Sequence, residues 1–444
     1  MKTLFKNGLV YNSLNKKFIK KDILISGEKI EKIENNINDF EIKTINCENK
    51  FIIPGGIDAH THLDHNMGDG LITIDDFKMG TKAALYGGTT SIIDHVSYGN
   101  KNNNILKIIN DYHKKAKDSY IDYSFHGVAF KNDNRTLDEL KELKNLGISS
   151  VKIYTVYGEK LEDEWILKLL TIAKEEDITV CVHCENEEII NYSENIHGEK
   201  VSDFPLSRPV EAEAETVERL IYYSKITGYP KLYFVHISSK ESLENIIRAK
   251  EKGHKNLFVE TCIQYLTFTD EVYSREEGGK YICSPPLRKK EDVDFLWKNI
   301  EKENIDVIAT DHCPFSLDKK LGIENYKNIA GGVPGIEERI LVTLSESEKR
   351  NIEITKVIDK LSTNPAQIFN LKNKGTLEIG KDADIVILSK KNWKFKNIHG
   401  NSQYSIYDNR KLNYTVDAIY IRGNKILEKE KILDEDFKGK FIKR

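Results

Sequence analysis

The stretch IIPGGIDAHTHLD, residues 52–64, is an apolar run that ends in two histidines spaced His-x-His. Alternate side chains of a strand share a face, so His60 and His62 point the same way at the end of a buried strand. Such a pair can clamp one metal ion. The question is then what surrounds this strand and where further ligands come from.

Working outward, seven more apolar runs follow: TTSIIDHV, YSFHGVAF, SSVKIYTV, ITVCVHC, KLYFVHIS, NLFVETCIQY and IDVIATDHC. Between them lie stretches such as LEDEWILKLLTIAKEED and RPVEAEAETVERLIYYSKITG, whose apolar residues recur at threes and fours, as helices covering a sheet require. Eight strands, apolar on both faces and alternating with helices, predict an α/β fold: a parallel sheet closed into a (β/α)8 TIM-like barrel. An open doubly wound sheet fits less well, because it gathers its ligand at one switch point, whereas the polar strand-end residues here are spread over many strands.

Both ends of the chain read as short strands and turns. ILISGEKIEKI (23–33) and IYIRGNKILEK (419–429) resemble each other as hairpins, around Gly-Glu and Gly-Asn turns. We expect residues 1–51 and 377–444 to form one small β-sandwich domain, with the barrel, residues 52–376, inserted between them. The 444 residues carry 67 Lys and Arg against 70 Asp and Glu, a net charge of -3, with no long single-sign block. That balance argues against nucleic acid or an anionic membrane as partner. Lys6 and Asn7 interrupt any signal-peptide core, and no run reaches the roughly 18 apolar residues of a membrane span, so the expected location is cytoplasmic. Six scattered cysteines, the Cys181/Cys184 pair included, read as reduced structural thiols.

Active sites of parallel barrels form at the C-terminal strand ends. There the sequence places His60 and His62 on the first strand, Lys152 on the fourth, His183 on the fifth, His236 on the sixth and Asp311 on the eighth. Singly, each has a plain reading: a hydrogen-bonded histidine, a helix cap at Asp311, a lysine reaching solvent. Six at the same end of five strands point to a metal site. Four imidazoles and a carboxylate suit borderline divalent ions such as zinc and exceed what one four-coordinate ion with an open position needs, so two ions are implied. An ammonium cannot ligate a cation, so Lys152 would be deprotonated or converted by CO2 to a carbamate that bridges both.

In this order the residues resemble the amidohydrolase superfamily and, within it, the dihydropyrimidinase/D-hydantoinase family of cyclic amidohydrolases. The resemblance also rests on IIDHV, VKIYTVYG, VHCEN, RPVEAEA, VHISS, ETCIQYL, CSPPLR, TDHCPF, PGIEER and GTLEIGKDADIVI. It implies that His60, His62 and Asp311 bind the more buried ion, that His183 and His236 bind the second, and that carboxylated Lys152 bridges them. Asp311 would also move the proton from the attacking hydroxide to the leaving nitrogen, and Tyr157 would hydrogen-bond the developing oxyanion. Ser284 would hold the cyclic amide or ureide. Where the family usually has Asn, this chain has Gly331, in AGGVPG.

The implied activity is opening of hydantoin or dihydropyrimidine rings to N-carbamoyl amino acids, by a homo-oligomer, a tetramer by resemblance. Allantoinase or another purine-derived ureide hydrolase is the second reading. Dihydroorotase is less favoured, because Asp64 stands where that pattern has a substrate-binding arginine and would repel an anion. A metal-free scaffold relative is disfavoured by the filled ligand positions. Near the site, His65, Met67 and Tyr154 are expected to face the ring substituent, His95 to be a supporting or structural residue, and His312 to brace the Asp311 loop.

Overall fold

In the computed structural model, which describes residues 2–38, 42–68, 70–98, 103–158, 160–396 and 398–444, eight short strands form the centre of the molecule. They are β1 (Gly56–Thr61), β2 (Thr89–His95), β3 (Asp122–Val128), β4 (Ser150–Tyr154), β5 (Thr179–His183), β6 (Leu232–Phe234), β7 (Leu257–Cys262) and β8 (Val307–Ala309). Each pairs in parallel with its sequence neighbours. The ring closes just beyond β8, where Thr61 bridges His312 and the His62 N–H donates to the His312 carbonyl at 2.9 Å. The architecture is therefore a TIM-like barrel.

The helices Asp163–Glu175 and Val210–Ile226 occupy two of the stretches with helical periodicity, and their buried stripes, Ile166, Leu169, Leu170 and Ala173 in the first, Val217, Leu220 and Ile221 in the second, repeat at threes and fours. Each such Leu or Ile contributes about 1.5–3 kcal/mol on leaving water, which fixes the face a helix turns to the barrel.

The apolar run at 51–59 divides where one strand was expected. Phe51–Pro54 pairs with strands Lys2–Asn12 and Ile385–Lys394 in a sheet made from both termini, and only at Gly56 does the chain enter the barrel. Pro54 cannot donate to a continuing ladder, and Gly55 and Gly56 have no room for a Cβ, which would lie 2.0 Å from Thr90 Oγ1 and 2.5 Å from Ile340 Cδ1. The terminal sheet is mixed and runs, in spatial order, Lys431–Ile432, Asn424–Glu428, Lys411–Ile421, Ile385–Lys394, Phe51–Pro54, Lys2–Asn12, Lys17–Ser26, Lys29–Glu34, with Lys43–Asn46 also against Lys2–Asn12. Phe5 and Tyr420 stand three strands apart, about 14 Å in a flat sheet, yet their ring centroids are 4.9 Å apart. The sheet thus curls over itself and packs as a sandwich. The two hairpins meet tip to tip: a Cβ on Gly423 would lie 2.0 Å from the Gly27 carbonyl oxygen. In the second hairpin the left-handed turn residues are Arg422 and Gly423, not the expected Gly-Asn pair.

Lys374 ties the terminal sheet to the barrel floor. Its Nζ lies 2.5 Å from Asp122 at the start of β3, 3.0 Å from Asp382 and 2.7 Å from Asp384, and Arg422 pairs with the other oxygen of Asp122. All six cysteines are free and buried. Among the described residues no helix is long and apolar enough to cross a membrane.

Candidate active site

Strand alternation sends Asp58, His60 and His62 inward in one column. Asp58 accepts from Thr310 Oγ1 at 2.7 Å and anchors the base of that column. His60 Nδ1 lies 2.6 Å from Glu260 Oε1 on β7, and with its proton committed there, its Nε2 turns to Asp311 Oδ1 at 3.1 Å and His62 Nε2 at 3.2 Å. His62 Nε2 is itself 3.0 Å from the same Asp311 oxygen. Three atoms with lone pairs thus converge where only a proton or a metal ion can satisfy them. Two imidazoles and a carboxylate are a donor set for a divalent cation, and the three groups lie within 4.8 Å of one another. Burial pulls both imidazoles down. For His60 the Glu260 and Asp311 carboxylates outweigh it and push the ring up to about 9, whereas His62 falls to about 4. Burial alone would raise Asp311, but the two histidines hold it well below the usual carboxylate range.

Lys152, in the middle of β4, is 2% exposed, and no carboxylate lies within 4 Å of its Nζ among the described residues. Burial pulls its ammonium down toward the neutral amine, against Asp311. His183 ends β5, and its Nδ1 lies 2.9 Å from His236 Nε2, while its Nε2 is held at 2.9 Å by Glu185. Burial lowers both histidines, leaving neutral imidazoles able to ligate. Arg208 clamps Glu185 and also donates to the Tyr157 hydroxyl at 3.0 Å, leaving the phenol proton free for another acceptor.

His236, Asp311 and Tyr157 all have positive φ, 41°, 54° and 74°. That conformation is costly for residues other than glycine and is retained where the surroundings over-determine it, as at sites of function. It also explains why β6 and β8 are only three residues long: the backbone leaves extended geometry two residues later and turns its side chain into the mouth.

One cavity of about 410 Å3 at the mouth is lined by all nine sequence-derived site residues: His60, His62, Lys152, Tyr157, His183, His236, Ser284, Asp311 and Gly331. His65, Met67 and Tyr154 line it too. A Cβ on Gly331 would meet nothing within 4 Å, so the glycine leaves open space rather than filling a tight turn. Other residues lie outside. His95 is wedged beneath, its ring 4.3 Å from His60 and 4.2 Å from His126, and neither nitrogen has a hydrogen-bond partner among the described residues. His312 does brace the loop: Nε2 meets Asp75 at 3.0 Å and Nδ1 accepts from the Gly335 and Ile336 N–H groups. Asp64 needs correction, because its carboxylate accepts from the Phe77 N–H at the start of a helix and does not line the cavity. It cannot repel a substrate directly; what remains of that argument is the lack of an arginine.

The sequence reading missed the residues that hold the ligands in place. Glu260 accepts from Tyr233 Oη and the His236 N–H besides meeting His60, and Glu185 and Arg208 orient His183 and Tyr157. A carboxylate embedded in an apolar strand, as in LFVETC, was the available signal.

The chain is also similar to known proteins. The model of the amidohydrolase family matches residues 51–426. The D-phenylhydantoinase of Escherichia coli is 34% identical, the match spanning 100% of this chain and 98% of that protein. The crystal structure of a dihydropyrimidinase from Brevibacillus agri superposes with a TM-score of 0.95 at 32% identity, covering 100% of this chain and 99% of the other. A D-hydantoinase from a Bacillus species does so with a TM-score of 0.93 at 32% identity and the same coverage.

Proposed function

This chain belongs to the amidohydrolase family, and on that premise we propose a two-metal centre in the barrel mouth: His60, His62 and Asp311 on the more buried ion, His183 and His236 on the second, and a carboxylated Lys152 between them. The enzyme is a hydrolase that opens cyclic amides. Its proposed substrates are hydantoins or dihydropyrimidines, and its products N-carbamoyl amino acids. The observation that carries the reading is the convergence of these six side chains on one cavity, three of them on a point where lone pairs face one another.

Divalent ions bound there, zinc in our reading, would polarise the ring carbonyl and acidify water enough to ionise near neutral pH. The chain's own groups do the rest. The lowered basicity of Lys152 favours the neutral amine, whose nitrogen adds to the carbon of CO2 with release of a proton, forming the carbamate. Asp311 stays ionised, accepts a proton from the attacking water and delivers it to the departing ring nitrogen. Tyr157, its oxygen fixed by Arg208, donates its free proton to the carbonyl oxygen as charge develops there. Ser284 and the backbone at Gly331 receive the amide edge of the ring, while Met67 and Tyr154 face its substituent. The open space over Gly331 favours a second reading, a bulkier ureide ring such as allantoin. We place the enzyme in the cytoplasm as a homotetramer; exposed Tyr222 and Ile226 on one helix supply apolar surface for self-association.

Ring opening of dihydrouracil, hydantoin, an aryl-substituted hydantoin and allantoin, by protein loaded with zinc and bicarbonate, tests the proposal. We expect activity on the first three and none in Lys152→Ala. Activity on allantoin alone would install the second reading. No activity with two bound metals per chain would overturn the substrate assignment, and no bound metal would overturn the centre.

A further inference from the structure

Lys320 is wholly buried behind the wall of the cavity that carries Ser284 and Gly331. Its Nζ donates to three backbone carbonyls, those of Ile282 at 2.9 Å, Ala330 at 2.6 Å and Gly332 at 2.9 Å. No carboxylate interacts with it among the described residues; the ionisable groups that face it are the thiols of Cys283 and Cys313, both held protonated by burial. An ammonium has three N–H groups, and here each has one acceptor. The acceptors belong to two separate segments: Ile282 lies two residues before Ser284, and Ala330 and Gly332 flank Gly331. The Gly332 N–H also donates to the Ile282 carbonyl at 2.9 Å, so the segments are pinned in register from both sides.

A methionine would fill a similar volume without a buried charge, so packing does not account for the ammonium. What it supplies is three directed donors. We propose that Lys320 is a positioning residue that sets the backbone around Ser284 and Gly331 at the spacing that grips the amide edge of the substrate ring. The proposal rests on the reading of this cavity as a cyclic-amide site. It touches neither the ring nor the metal ligands, so it should act on binding and leave the chemical step alone. Burial pulls the Lys320 ammonium down to about 7. As pH rises through that value the amine keeps two donors for three carbonyls, and the grip loosens on the alkaline side.

The test uses the metal-loaded enzyme and hydantoin, with kcat, KM, calorimetric hydantoin binding and metal content measured for the wild type, Lys320→Met and Lys320→Gln. We expect KM and Kd to rise about tenfold in Lys320→Met and less in Lys320→Gln, with kcat within threefold and metal content unchanged. The wild-type KM should climb above about pH 7, a rise absent from Lys320→Met. The wild-type profile serves even where a variant does not fold. An active wild type with a flat KM profile, or variants whose kcat and metal content fall while KM holds, would overturn the positioning role. A wild type that binds hydantoin without opening it would overturn the reaction, and the variants' Kd would still decide the role of Lys320. A wild type that neither binds nor opens it overturns both.

Discussion

Two clusters of acidic and imidazole groups sit at opposite ends of the barrel, and they solve the same electrostatic problem in opposite ways. At the floor, Asp122, Asp382 and Asp384 surround Lys374, and Arg422 on Asp122 and Lys29 on Asp382 complete the set, so the negative charge is matched from within the chain. At the mouth, His60, His62 and Asp311 point lone pairs at one another, and Lys152, buried beside them, has no carboxylate within 4 Å among the described residues. The floor is a closed ion network that joins two domains. The mouth is arranged to take up charge from outside, and its left-handed residues add backbone strain that the floor cluster lacks, Arg422 excepted. The contrast teaches that convergence of ligand-type side chains does not by itself mark a metal site; what marks it is whether the chain already supplies the cation.

The largest expected effect tests the mouth. Asp311→Asn removes both the anionic ligand and the proton carrier, and kcat should fall about ten-thousand-fold. Asn tolerates the left-handed backbone at 311 and can still hydrogen-bond His60 and His62, so thermal stability of the metal-free protein should fall by only a few degrees. A variant that unfolds at the wild-type temperature minus many degrees would show the mouth to be a structural cluster after all. Next in size is the floor. Lys374→Met leaves buried Asp384 with no ion pair among the described residues, while Asp122 keeps Arg422 and half-buried Asp382 keeps Lys29, and breaking such a network costs about 3–5 kcal/mol. Denaturant unfolding should show that loss while the folded fraction keeps its kcat and metal content. A fall in activity at unchanged stability would erase the distinction between the two ends.

The mouth was far more legible in the sequence than the floor, for a physical reason. Ligand residues must stand at strand ends, and strands announce themselves as apolar runs, so His60, His62, His183, His236 and Asp311 can be read by position. Lys374, Asp122 and Asp382 lie in turns and strand starts, where charged residues are ordinary, and only the fold brings them together. The same holds for Lys320, one lysine among several in a polar loop, and for Arg208. The eight-strand barrel was legible because burial on both faces leaves a continuous apolar signature. The first strand's true start was not, since Phe51–Pro54 is as apolar as Gly56–Thr61 although the two belong to different sheets. Pro54 and the two glycines after it are the only local mark of that change.

A third buried acid shows the remaining way to settle charge, and gives the smallest predicted effect. Glu338 is 2% exposed, accepts from the Ser405 hydroxyl, and has Glu337 beside it, itself bonded to His399. No cation pairs with Glu338 among the described residues, so it neither imports a charge like the mouth nor contains one like the floor. Burial and the neighbouring Glu337 push its carboxyl up to about 8, and it holds a proton instead. In the unfolded chain the same group ionises near 4.5. Below that value both states are protonated and stability does not depend on it. Above it the folded state holds one more proton than the unfolded state, so stability falls as pH rises until the folded carboxyl also ionises, by at most about 1.4 kcal/mol per pH unit. Glu338→Gln keeps the shape and cannot ionise. Its unfolding free energy, followed from pH 5.5 to 7.5, should therefore decline less steeply than the wild type's. Parallel profiles would mean that Glu338 ionises in place, and that a cation reaches this acid as it does the other two clusters.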